Sequence, residues 1–188
     1  MTRIVAGFAG SLTLKVPKSG TRPTSDRVRE AIFSALDARD IVRGARVFDL
    51  FAGSGALGLE AASRGASHVV LVEKNAQAAD ICRQNASAVV KAAPRYAAPT
   101  IEVRQAAVQG YLVGAGLTAD LVFIDPPYEV DDTELLAVLT ALVPHLAPHA
   151  VVCVERSARD PQPTLPRGLE IDRRKDYGDT ALYWVSPE

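Results

Sequence analysis

Arg46-Val47-Phe48-Asp49-Leu50-Phe51-Ala52-Gly53-Ser54-Gly55-Ala56-Leu57-Gly58 is the stretch whose reading decides the fold. Residues 46–50 have the apolar, β-favouring character of a buried strand, Gly53 to Gly55 make a turn, and Ala56 to Arg64 follow as an alanine-rich helix. A strand, a glycine turn and a helix in that order bring backbone amides up to a ligand at the carboxyl edge of a sheet. Gly53, Gly55 and Gly58 fit G-x-G-x-x-G, and Glu73 stands 20 residues after Gly53. Taken literally, that is a dinucleotide fingerprint with an acid for the ribose.

Asp49 argues against a pyrophosphate ligand. It stands at the end of the strand, four residues before Gly53, where a carboxylate repels a diphosphate but pairs with an ammonium group. S-adenosylmethionine has an amino-acid ammonium at one end and a ribose in the middle, so it employs both acids. Asp49 is expected to hold the methionine end, directly or through water, and Glu73 to accept from the ribose hydroxyls. Gly53 and Gly55, with Ser54 between them, let the backbone approach. Phe51 either packs under the loop or walls the cleft. Toward adenine, the side chain of Gln105 and the backbone of Ala106 are the two candidates.

Outward from this unit the pattern repeats. Strands are predicted at His68–Val72, Thr100–Arg104, Leu121–Ile124 and Ala150–Glu155, and helices at Ala76–Val90, Ala106–Val113 and Asp132–Val143. Val/Ile/Phe-rich strands alternating with alanine-rich helices imply an α/β chain with a parallel sheet covered on both faces. Leu169–Asp172 and Thr180–Val185, with Tyr177-Gly178-Asp179 turning between them, predict an antiparallel pair at the sheet's edge. Before the first strand, Arg3–Ala6 and Ser11–Val16 predict a hairpin. Thr24 or Ser25 is expected to cap a helix carrying Val28, Ala31, Ile32, Ala35 and Leu36.

The second decisive run is Asp125-Pro126-Pro127-Tyr128, standing behind the apolar Leu121-Val122-Phe123-Ile124. Prolines fix the backbone and donate no hydrogen bond. The result is a stiff slot at a strand end, with the Asp125 carboxylate and the Pro126 carbonyl as acceptors and Tyr128 as a flat wall. Such a slot suits a planar base bearing an amino group. Accepting the amine's hydrogens while holding nitrogen in line with an electrophilic methyl promotes transfer.

With 48% apolar and 23% charged residues, the 188-residue chain has ordinary globular composition. Its two cysteines and three histidines show no metal-ligand spacing, so no metal is expected. No apolar run approaches the roughly 18 residues of a membrane helix, and a soluble, cytoplasmic protein is expected. The net charge of −1 conceals an asymmetry: residues 1–46 hold nine Lys/Arg against four acids, and the remaining 142 residues hold 12 against 18. A basic segment on an acidic body is a plausible footprint for phosphates.

The two runs together, Asp49–Gly58 with Glu73-Lys74 and Asp125–Tyr128, resemble the amino-methylating class I S-adenosylmethionine-dependent methyltransferases. Arg3-Ile4-Val5-Ala6-Gly7, Thr21–Glu30 and Tyr177-Gly178-Asp179-Thr180 narrow the resemblance to the RsmD family, bacterial 16S ribosomal RNA guanine-N2 methyltransferases acting at guanine 966. The resemblance implies a Rossmann-like fold with a seven-stranded, mostly parallel sheet. Residues 1–23 would form an N-terminal hairpin extension and linker, and residues 24–188 the methyltransferase domain with its leading helix. By position it implies Asp49, Gly53, Gly55 and Glu73 at the cofactor and Asp125, Pro126 and Tyr128 at the target base. Phe51, Ser54, Lys74, Gln105 and Ala106 are further cofactor candidates, although the acidic or amide residue that many class I enzymes carry near adenine is absent at Ala106. Arg22, Arg27 and Arg29 match the family's basic N-terminal motif and, with Arg3 and Pro127 as further candidates, would meet RNA in an assembled or partly assembled small ribosomal subunit, with the protein acting as a monomer. A DNA amino-methyltransferase shares the Asp-Pro-Pro-Tyr logic but needs a sizeable recognition domain, and no insertion of that size separates these motifs.

Overall fold

The predicted alternation resolves, in a computed structural model that describes residues 2–17 and 26–188, into one sheet with helices on both faces. Two-residue strands β1 (Thr2–Arg3) and β2 (Thr13–Leu14) pair antiparallel, and helix α1 (Asp26–Asp37) follows. The repeating part comprises β3 (Arg46–Leu50), α2 (Ala56–Ser63), β4 (His68–Glu73), α3 (Ala76–Ala92), β5 (Thr100–Gln105), α4 (Val108–Gly114), β6 (Ala119–Ile124) and α5 (Asp132–Leu142). A short 3-10 turn leads into β7 (Leu146–Ser157), then β8 (Leu169–Tyr177) and β9 (Thr180–Pro187).

The strand order is β5-β4-β3-β6-β7-β9-β8. The first five are parallel, and β9 runs antiparallel between β7 and β8. This is the expected mostly parallel sheet with an antiparallel C-terminal pair. The final strand reaches the interior position because Gly178, at φ 63°, turns the chain back on β8. The central strands are buried on both sides. Val47, Leu71, Leu121 and Phe123 pack toward α1, α2 and α3, while Phe48, Val70, Val122 and Ile124 pack toward α4 and α5. Each such residue stabilises the fold by about 1.5–3 kcal/mol before entropy is counted, so loops at the sheet's carboxyl edge sit on a stiff base. From β3 the chain goes first to β4 on one side and later to β6 on the other. The loops after β3 and β6 therefore part and leave a crevice between them.

The N-terminal hairpin is shorter than predicted. The amides of Val5 and Ala6 donate to the Glu60 carboxylate at 2.6 and 3.0 Å instead of extending the ladder. Glu60 is fully buried on α2 and is also met by Arg64 Nε at 2.7 Å. Ser63, one turn on, accepts from the Ala9 amide and donates to the Ala6 carbonyl. Gly7, at φ 83°, passes so close that a Cβ there would lie 1.9 Å from the Ser63 carbonyl oxygen. Ile4, Ala9 and Leu14 belong to the same buried cluster as Leu59 and Phe123. No described helix is long and apolar enough to cross a membrane.

Candidate cofactor and acceptor site

Strand register lines up the candidate site residues. Leu50 is paired with Val72 on one side and with Ile124 on the other, so Glu73 and Asp125 each stand one residue beyond, flanking the turn after β3. Gln105 pairs with Glu73, and Ile124 with Val154. The carboxyl edge thus presents Gln105, Glu73, the Phe51 turn and Asp125 in a row, with neighbouring strands about 4.8 Å apart.

The turn is held open by backbone geometry. Phe51 adopts φ 68°, Gly53 φ 57° and Gly55 φ 80°. A non-glycine residue in that region costs about 1–2 kcal/mol, and Phe51 is held there by packing against the cluster that includes Leu50 and Val72. Nothing lies within 4 Å of a Cβ built on Gly53, so that side of the loop is open. A Cβ on Gly58 would meet Leu71 Cδ2 at 2.3 Å and Val69 Cγ1 at 3.0 Å, because α2 lies directly on β4.

Asp49 is 2% exposed and accepts from the Gly58 amide at 2.8 Å. Burial pushes its carboxyl up from the usual 3.8 to about 7, against the pull of that amide, and the nearby charges of Asp125 and Glu73 add to the rise. A cation arriving beside it would relieve this penalty, which fits an ammonium and not a phosphate. Glu73 Oε2 accepts from the Gly53 amide at 2.8 Å and Oε1 from the Asn75 amide at 2.7 Å. Each carboxylate oxygen keeps a second lone pair for a ribose hydroxyl. Glu73 thus shapes the loop as well as facing the cleft. Lys74 and Gln105 are exposed at the rim, and Ala106 is half-buried with its amide committed to the Glu73 carbonyl at 3.1 Å. Of the two adenine candidates, the Gln105 side chain is the one whose donors and acceptors face water.

On the acceptor side Asp125 and Pro126 are half-buried, Pro127 is exposed and Tyr128 is 77% exposed, a ring presented at the mouth. The Pro127 carbonyl accepts from the Val130 amide at 3.0 Å and closes a tight turn. Arg156 on β7 donates to the Val130 carbonyl at 2.9 Å and braces that turn from beneath.

Of the basic candidates, Arg22 lies outside the described residues. Arg3 and Arg27 are exposed. The expectation that Arg29 grips phosphate needs correcting, since its side chain is 1% exposed and donates to the Arg3 carbonyl at 2.6 Å and to Asp26 at 2.8 Å. It ties α1 to β1. Helical spacing from Val28 and Ile32 puts position 29 beside the buried stripe, which was the available signal. The structure adds Asn75, which caps α3 by accepting from the Ala78 amide, the buried Glu60 and Asn85, and the half-buried Arg156. Only Asn75 had a sequence signature, a capping residue before a helical run.

Parallel sheet, divided crevice, glycine turn and two acids define a class I S-adenosylmethionine-dependent methyltransferase, and S-adenosylmethionine is its cofactor. The family described as Conserved hypothetical protein 95 matches residues 2–186. "Ribosomal RNA small subunit methyltransferase D" of Escherichia coli K12 is 34% identical over 180 residues, covering 95% of this chain and 86% of that protein. The protein of the same name from Haemophilus influenzae is 32% identical, covering 94% and 89%. A solved hypothetical protein of Thermus thermophilus superposes with a TM-score of 0.81 at 33% identity, over 99% of each chain. The chain belongs to the RsmD family of methyltransferases.

Proposed function

We propose that this protein transfers a methyl group to the exocyclic N2 of guanine 966 in 16S ribosomal RNA, acting as a cytoplasmic monomer on an assembled or partly assembled small subunit. The observation that carries the reading is the register that sets Asp125 beside the turn after β3, opposite Glu73. One side of the crevice holds a nucleoside cofactor, and the other offers acceptors to an amine. When bound, the cofactor supplies an electrophilic sulfonium methyl. Asp49 steadies its ammonium end and Glu73 its ribose. Asp125 and the Pro126 carbonyl accept from the amine and orient its lone pair, and Tyr128 stacks on a base turned out of its helix. The ribosomal RNA relatives, matched along nearly their whole length, support the substrate class. The exposed Arg3 and Arg27, together with Arg22, would meet phosphates.

The test is methylation with labelled cofactor of under-methylated small subunits, short naked RNA hairpins and plasmid DNA, with the product nucleotide mapped by mass spectrometry. Label on N2 of guanine 966 in subunits, with weak labelling of the hairpin, is expected. A domain of this size has little surface for reading sequence, and its RNA contacts lean on shape and phosphates. Equal turnover on hairpin and particle would refute the particle requirement, and methylated DNA would refute the substrate class. Asp125→Ala should nearly abolish transfer while leaving cofactor affinity intact. Transfer at the wild-type rate would remove Asp125 from the acceptor role.

A further inference from the structure

A single buried amide joins the N-terminal segment to the glycine turn. Asn85 lies in the interior of α3 and is 3% exposed. Asparagine is a mediocre helix former and its amide is costly to bury unpaired, so each of its bonds matters. Its Oδ1 accepts from the Lys15 amide at 2.9 Å, and its Nδ2 donates to the Lys15 carbonyl at 2.9 Å. The side chain thereby pairs with Lys15 as a neighbouring strand would, immediately after β2. The remaining Nδ2 hydrogen goes to the Ser54 carbonyl at 2.9 Å, between Gly53 and Gly55. One turn earlier, Cys82 closes the floor, where a Cβ on Gly55 would lie 2.9 Å from its Sγ. Gln84 adds an outer contact, accepting from Lys15 Nζ at 2.7 Å.

Neither end of this chain of bonds is idle. Gly53 and Gly55 form the cofactor loop, and its Gly53 amide is also held by Glu73. Lys15 follows β2, whose Thr13 pairs with the exposed Arg3 of β1, and Arg29 ties the Arg3 carbonyl to α1, which carries the exposed Arg27. A shift of the Ser54 carbonyl would be passed to the Asn85 amide and from it to both backbone groups of Lys15.

We propose that Asn85 is a positioning residue that couples cofactor binding to RNA docking through Lys15 and Ser54, so that each ligand binds more tightly in the presence of the other. The proposal rests on the RNA-methylating reading above. Coupling is reciprocal, so it can be read from the cofactor side alone.

The experiment measures the dissociation constant of S-adenosylhomocysteine, which cannot turn over, with and without saturating under-methylated small subunits. Wild type, Asn85→Ala and Asn85→Asp are compared. Asn85→Asp keeps the acceptor for the Lys15 amide and loses both donors. Wild type is expected to gain about fivefold or more in affinity with subunits present, and both variants less than about twofold. A residue that merely staples the fold would lower the melting temperature and leave that ratio intact, which would overturn the proposal. So would a wild-type ratio of one. Wild type that neither binds nor methylates subunits refutes the functional reading instead. If the variants do not fold, hydrogen exchange on wild type decides. S-adenosylhomocysteine alone should slow exchange of the Lys15 amide, and unchanged exchange there would end the idea.

Discussion

Asp49→Asn removes a charge from beneath the glycine turn while keeping the side chain's shape and an oxygen for the Gly58 amide. In wild type, burial raises the Asp49 carboxyl from 3.8 to about 7. Between those values the native state holds a proton that the unfolded state has lost, so stability falls as pH rises. The contribution is fully present below about pH 4 and is lost by the time pH has passed about 7, roughly 4 kcal/mol in all. The carboxamide of the variant does not titrate. The melting temperature of Asp49→Asn minus that of wild type should therefore climb between pH 4 and 7 and level off above. At about 2–4 °C per kcal/mol for a chain of this length, the climb is on the order of 10 °C. Any offset at low pH reports how well the amide fits, and only the pH-dependent part reports the charge. Cofactor affinity should move the opposite way. On its proposed role, ionised Asp49 would pair with the cofactor's ammonium, so wild-type affinity should fall by up to about tenfold for each pH unit below 7, while the weaker binding of the variant should stay flat. Scanning fluorimetry and calorimetry at matched ionic strength measure both. A difference in melting temperature that does not vary with pH would refute the argument for a buried, titrating Asp49.

Gly58→Ala should cost about 1–3 kcal/mol in denaturant unfolding, since Leu71 and Val69 must shift to admit the methyl. Gly53→Ala, in open space but at φ 57°, should cost about 1–2 kcal/mol from backbone strain alone. Glu73→Ala should weaken S-adenosylmethionine binding by about 1.5–3 kcal/mol in calorimetry, through lost ribose hydrogen bonds and a loosened Gly53 amide. Arg27→Ala should leave the melting temperature unchanged and lower the log–log salt slope of RNA binding by about 0.7–0.9, one phosphate contact. Arg29→Ala should do the reverse, losing stability because the Arg3 carbonyl and Asp26 lose their partner, with the salt slope as in wild type.

The strand–turn–helix beginning at Arg46 and the Asp-Pro-Pro-Tyr slot were legible in the amino-acid sequence because their chemistry is local. Glycine is needed where φ is positive, proline stiffens its own residue, and an alternation of strands with helices dictates a parallel sheet whatever the details of packing. Helix and strand ends were less legible, as at β7, which starts at Leu146, four residues before the predicted Ala150. What only the tertiary structure decided are partners distant in sequence. Glu60 captures the Val5 and Ala6 amides 54–55 residues away and cuts the hairpin short. Asn85 reaches Lys15 across 70 residues. Helical spacing already set Arg29 beside the buried stripe, but its bond to the Arg3 carbonyl, 26 residues away, came only with the packing of α1 on β1. Asp49 could be recognised as an acid at a strand end, but its shift toward neutrality comes from the layers of helix and sheet that exclude water around it. Desolvation and long-range hydrogen bonds belong to the packed arrangement of the chain, and no local pattern of residues encodes them.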